Sequence, residues 1–356
     1  MSQTRQRIQF LRARDGAQLA WAEAGAGPTL VKASNWMTHL EYEWQNPVWR
    51  HWMHFFGSHF RFVRYDERGC GLSDREPVSI SVDRWISDFE DVCSVAAGPD
   101  PFTILGMSQG ALACIHYAVN HPERVSRMIL YGAYARGYLR RGNARAAREY
   151  RAIVEAIRVG WGKDNPAFRQ LFTSRFIPEG TPEQIAWFNE LCRKTVAPEM
   201  AADLLQLRGE VDVVGLLGKI RVPTLVLHAA EDNVISVAEG RLIASSIPGA
   251  QFVELESKNH ILLGREPAWT RFQEAVLDFT GVASERPDHD AFRALSPRER
   301  EVLALLSEGL DNGQIGERLS ISEKTVRNHV SSVYDKLGVW TRAQAVVFAR
   351  EHGFRG

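Results

Sequence analysis

The chain has 356 residues, 45% hydrophobic and 24% charged, with 43 Lys and Arg against 43 Asp and Glu and hence no formal net charge. This is the composition of a soluble globular protein with ample core, and its length predicts one large domain plus a small one. The four cysteines, Cys70, Cys93, Cys114 and Cys192, lack metal-ligand spacing and exclude a disulfide framework; no stretch approaches the roughly eighteen apolar residues of a membrane span.

The chain opens Met1-Ser2-Gln3-Thr4-Arg5 with no apolar signal region, so the expected home is a bacterial cytoplasm, with no membrane partner, no metal and no cofactor. Ile8 to Arg14 and Leu19 to Ala22 flank an Asp15-Gly16 turn and predict a hairpin. Short apolar runs follow at Thr29 to Ala33, Phe60 to Tyr65, Phe102 to Met107 and Arg127 to Tyr131, then at Thr224 to Ala229 and Gln251 to Leu255. Helix-like segments separate several of them, which predicts about eight strands in a mostly parallel sheet covered on both faces. Between 135 and about 218 the strand signal gives way to arginine-rich amphipathic helices containing Trp161, Phe172, Phe176 and Trp187, and this insertion reads as a helical lid.

The chemistry centres on Gly106-Met107-Ser108-Gln109-Gly110, which ends one apolar strand and opens the helix Ala111 to Asn120. A serine on a strand-to-helix turn needs glycines on either side so that the backbone can bend and the hydroxyl stand above the sheet. Ser108 is then the nucleophile, Asp232 after the next-to-last strand the acid, and His260 after the last strand the base. A histidine can take the hydroxyl proton, and a carboxylate fixes its tautomer. The same residues read as local hydrogen-bonding groups of a scaffold that only binds.

From about Arg7 to Thr280 the chain resembles the α/β-hydrolase fold, through this elbow, the loop Asp66-Glu67-Arg68-Gly69-Cys70-Gly71-Leu72-Ser73-Asp74, and the Asp232 and His260 contexts. The resemblance implies an oxyanion hole made of the Gln109 backbone N–H and one from the loop Ser34-Asn35-Trp36-Met37, with the Trp36 N–H as second donor. Ser34-Asn35 stands where most relatives carry His-Gly. Trp36, Met37, His39, Trp44 and Trp49 cluster after the third strand, where such folds line a pocket that also takes in Met107. They read either as core aromatics or, with Trp161, Phe172 and Trp187 closing over them, as the wall of a ligand site.

Residues 281–291 are polar and aperiodic and read as a linker between a hydrolase-fold domain over 1–280 and a small all-α domain over 292–356. Ser296-Pro297-Arg298-Glu299 starts a helix with a hydroxyl cap, a proline at the first position and a reciprocal glutamate, and Gly309 ends it. Asn312 opens a second helix and Ser322 caps a third, whose Val326, Val330, Val333 and Leu337 form an inward stripe. Its outward stripe carries Lys324, Arg327, Asn328 and Ser331. Gly338 stops that helix, and Thr341 caps a fourth.

This module resembles the LuxR-type (GerE-like) helix-turn-helix in Leu-Ser-Pro-Arg-Glu-Arg-Glu-Val-Leu at 295–303, in Ser322 to Val330 and in Lys336-Leu337-Gly338-Val339. The resemblance implies a recognition helix from Ser322 to Leu337, with Arg327, Asn328 and Ser331 at base edges, Lys324 and Thr325 on the DNA backbone, and the fourth helix pairing two modules on a two-fold operator. The module carries only about two excess positive charges, so one copy alone is expected to bind DNA weakly and a homodimer is expected. The leading reading is a transcription regulator sensing a small apolar or aromatic ligand in the hydrolase-fold pocket. An active esterase or lactonase that destroys its own signal stands beside it, and a helical module used only for protein contacts stands third.

Overall fold

A computed structural model describes residues 5–77, 79–282, 292, 294–339, 341–351 and 354; of the expected linker, only Gly281 and Val282 fall among them. Contacts group the described residues into two units, one ending at Val282 and one beginning at Phe292.

The first unit is built on eight strands: β1 Arg7–Arg12, β2 Gln18–Ala24, β3 Thr29–Lys32, β4 Arg61–Tyr65, β5 Phe102–Met107, β6 Val125–Tyr131, β7 Thr224–Ala229 and β8 Gln251–Leu255. They form one sheet in the order β1-β2-β4-β3-β5-β6-β7-β8, antiparallel at the two pairings of β2 and parallel elsewhere. Every residue of β5 and β7 is buried, because helices cover both faces and such strands read as unbroken apolar runs. The edges β1 and β8 remain largely exposed or half-buried, with Leu11 and Leu255 their only buried residues. Between β6 and β7, in the stretch read as a helical lid, lie the helices Ala144–Gly160, Ala167–Phe176, Pro182–Thr195, Pro198–Gly209 and Val214–Leu217, with an isolated β-bridge between Arg136 and Asp212. All four cysteines are buried, and burial pushes each thiol up from its ordinary range.

Among the described residues the second unit forms four helices, Pro297–Ser307, Asn312–Leu319, Glu323–Leu337 and Arg342–Glu351. Ser296 with Glu299, and Asp311 with Gln314, form reciprocal capping boxes, while Ser322 caps the third helix through the Thr325 N–H. Gly338 takes the left-handed conformation that ends the third helix, at φ +68°. Val326, Val330, Val333 and Leu337 are buried with Val302, Leu306 and Ile315 in one core.

Glu299 does more than cap. Besides the Ser296 N–H, it accepts from Ser332 Oγ at 2.6 Å and from Lys336 Nζ at 2.6 and 2.8 Å, tying the first helix to the third. Burial would raise its carboxyl, but Lys336, Ser332 and Ser296 outweigh burial and hold it down at about 2. A depressed carboxyl stabilises the fold above its unfolded value of 4.5, and that contribution is lost as pH falls toward about 2. Hydrogen exchange of the peptide 323–337 should therefore be faster in Glu299→Gln than in the wild type at neutral pH, with the gap closing between pH 4.5 and 2.

Candidate functional site

β5 ends at Met107, and Ser108 takes φ +52° before the helix Gly110–Asn120 begins. A non-glycine residue there is strained by roughly 1–3 kcal/mol, and the Ser108 N–H is pinned to the Tyr131 carbonyl at 2.9 Å. The flanking glycines let the turn close. A Cβ on Gly106 would lie 2.7 Å from the Ala111 Cα, and one on Gly110 would lie 3.0 Å from the Ser34 carbonyl. The hydroxyl is thus raised at the carboxyl end of the sheet, where ligands of open α/β sheets bind.

Two strands away, Asp232 follows β7. Its Oδ1 accepts from the Val234 and Ile235 N–H groups at 2.7 and 2.9 Å, and its Oδ2 lies 2.6 Å from His260 Nδ1. Burial would raise this carboxyl, but the charge and hydrogen bond of His260, with the Ile235 N–H, bring it below its usual range. It is therefore an anion at neutral pH, in contact with the nitrogen whose proton it orients. The space for the imidazole comes from Gly132, where a Cβ would stand 3.0 Å from His260 Cε1. Phe176 from the lid presents its face or edge to His260 at 5.2 Å and near right angles.

A second imidazole escaped the sequence reading. His228 on β7 is fully buried, bonds through Nε2 to the Ile235 carbonyl at 2.9 Å and stands 3.7 Å from Asp232 Oδ2. Burial lowers its basicity and keeps it neutral. The available signal was a histidine inside an apolar strand four residues before the acid.

Ser108 and His260 line one cavity of about 320 Å³, counting the space open to solvent, together with Asn35, Trp36, Met107 and Phe188, and no hydrogen bond joins Ser108 to His260 among the described residues. Catalytic hydrogen bonds are often loose without substrate. A second cavity, about 560 Å³ counting the space open to solvent, reaches from Ser108, Gln109 and Trp36 to Tyr134, Tyr150 and Phe172. The two volumes share Ser108, Trp36 and Phe176 and so are adjoining lobes that both reach Ser108.

The expected pocket aromatics separate accordingly. Trp36, Trp49 and Phe172 line these lobes; Trp161 is wholly buried behind Trp36, its indole N–H on the Cys192 carbonyl, and Trp187 packs on Tyr42. Met37 is buried at φ +61° and turns the loop after β3, while Asn35 accepts from the Lys32 ammonium. This turn leaves the Trp36 N–H, like that of Gln109, without a hydrogen-bond partner among the described residues.

In the second unit Lys324, Arg327, Asn328 and Ser331 are exposed on the third helix, opposite its buried valines. Thr325 is half-buried, with its hydroxyl 2.8 Å from Ser322 Oγ. Arg327 makes only a surface pair with Glu323, at 3.1 Å.

Comparison with known proteins gives two family matches. The model described as "Serine aminopeptidase, S33" matches residues 51–267, and that for "Bacterial regulatory proteins, luxR family" matches residues 293–349. The chain is 52% identical over 124 residues to the DNA-binding transcriptional activator DevR/DosR of Mycobacterium tuberculosis, covering 35% of this chain and 55% of that one. It is 25% identical over 246 residues to the pyrrolizixenacetamide deacetylase of Xenorhabdus hominickii, covering 68% and 87%. A solved hydrolase from Pseudomonas aeruginosa superposes with a TM-score of 0.62 at 25% identity, covering 77% of this chain and 98% of that one. The chain spans about half the length of the curated regulators it matches first.

Proposed function

Because the chain belongs to the serine aminopeptidase S33 family over residues 51–267 and carries a luxR-family regulatory domain over residues 293–349, we propose that it is a bacterial transcription regulator that grips DNA with its last helices and answers to a small molecule in its hydrolase-fold cavity. The observation that carries this reading is the third helix of the second unit. Its buried stripe of valines fixes an opposite stripe of Lys324, Arg327, Asn328 and Ser331 at the surface, where donors of these types meet phosphates and base edges. Lys324 and Thr325 hold the DNA backbone, and Arg327, Asn328 and Ser331 read bases. With little excess positive charge per module, two copies on a two-fold operator supply the affinity that one lacks. No described helix is long and apolar enough to cross a membrane, and a cytoplasmic homodimer is part of the proposal.

The ligand side rests on the two aromatic lobes around Ser108, which suit a small apolar or aromatic compound. Such a compound alters DNA binding only if it favours one arrangement of the chain over another. The test is retardation of duplexes from the protein's own locus at low salt, with and without a panel of aryl esters, lactones and aromatic acids. Retention that changes with at least one compound is expected. No retention under any condition refutes the regulator, and retention indifferent to every compound refutes the sensing.

A second reading is favoured by the 2.6 Å contact between His260 and the buried anion Asp232. In it Ser108 attacks an ester or lactone carbonyl, His260 takes the hydroxyl proton and returns it to the leaving alkoxide, the Gln109 and Trp36 N–H groups receive the oxyanion, and a water deprotonated by His260 then attacks the acyl group and frees Ser108 with the acid. The regulator then consumes its own signal.

A further inference from the structure

Resting on the reading that the Ser108 cavity holds a small ligand, we propose that this ligand carries a carboxylate and that Arg208 is the residue that recognises it. Arg208 ends the helix Pro198–Gly209 and is only 2% exposed. Its Nη2 donates to Glu67, also buried, while Nε and Nη1, with three N–H donors between them, have no partner. Buried donors of a charged group are nearly always bonded, and Arg208 also lines the cavity, so its open pair suits an acceptor brought in by a ligand.

The surroundings specify that acceptor. The guanidinium carbon lies 4.5 Å from the centre of the Trp36 ring and 5.3 Å from that of Trp85, which fixes the plane of the group against aromatic walls and leaves its edge for a ligand. Arg208 and Arg175 both line the larger lobe, and no acidic side chain does. The Gln109 Nε2 on the same wall is likewise buried without a partner. A lobe lined by two cations, one of them already paired with Glu67 behind the wall, with surplus N–H donors and no carboxylate in its lining, is complementary to a negatively charged pair of acceptor oxygens, which a planar guanidinium matches better than an ammonium. The remaining wall, with Tyr134, Tyr138, Tyr150 and Phe172, fits an aromatic or alicyclic body attached to that carboxylate. With the acid at Arg208, the far end of the molecule lies toward Ser108.

The experiment is isothermal titration of the full chain with benzoate, phenylacetate and cyclohexanecarboxylate, each beside its uncharged primary amide of the same shape. At least one acid is expected to bind tenfold or more tightly than its amide. Arg208→Met alone strands the buried Glu67, so the paired change Arg208→Met with Glu67→Gln, which removes both charges, is made as well. It should abolish the preference for acid over amide while circular dichroism stays that of the wild type. Equal affinity for acid and amide, or a preference that survives the double change, overturns the assignment to Arg208 and leaves ligand binding standing. Failure of all six compounds to bind at millimolar concentration overturns both.

Discussion

Full-length protein carrying Arg327→Ala and Asn328→Ala together is expected to lose at least a hundredfold in affinity for its operator. A side chain that reaches a base edge contributes roughly 1–3 kcal/mol of discrimination, and in the proposed homodimer each substitution is made twice. Neither residue supports the fold. Both are exposed, and the one bond that Arg327 makes is a surface ion pair with Glu323, of a kind worth about 1 kcal/mol or less. The buried stripe from Val326 to Leu337 is untouched, so circular dichroism should not change. Lys324→Ala is the matching control, because a phosphate contact weakens binding about equally on all sequences and flattens the salt dependence by about one unit. Retardation across a salt series separates the two behaviours. Equal DNA binding by the wild type and the double variant would mean that a different face of the module meets the duplex.

On the hydrolytic reading, Ser108→Ala should lower kcat/KM for a simple aryl ester by a factor on the order of a thousand or more, since removal of the nucleophile leaves only binding and oxyanion stabilisation. Asp232→Asn should also act strongly, because an amide can present its N–H to His260 Nδ1 and select the wrong tautomer; losses of about ten-thousandfold are known for that change in a triad. DNA retardation by Ser108→Ala in the absence of ligand should match the wild type, which separates chemistry from recognition. Product release from the wild type no faster than from Ser108→Ala would remove turnover and leave a binding cavity.

What could be read from the sequence was what local rules determine. The glycines around Ser108, the box at Ser296, the cap at Ser322 and the valine stripe of the third helix each follow from neighbours within four residues, and the structure shows each in that local geometry. Asp232 and His260 were legible because strands that alternate with helices leave their loops at one end of the sheet, and their side chains do meet. Contacts set by tertiary packing were not legible. Glu67 and Arg208 are 141 residues apart, and nothing in either local context says that the lid will bury one against the other. Gln109 was read through its backbone alone, although its side chain also reaches the cavity. Trp161 stayed open between core and pocket wall because composition cannot tell the front of an aromatic wall from its support; it is wholly buried against Trp36.

The burial of all four thiols has a practical corollary. Maleimides and spin labels react with exposed thiolate, so the native chain should pass through such reagents unmarked, and no cysteine-free background has to be built. One cysteine introduced at Ser331 would then report from the face proposed to meet DNA, and its reactivity with and without duplex would map occupancy directly.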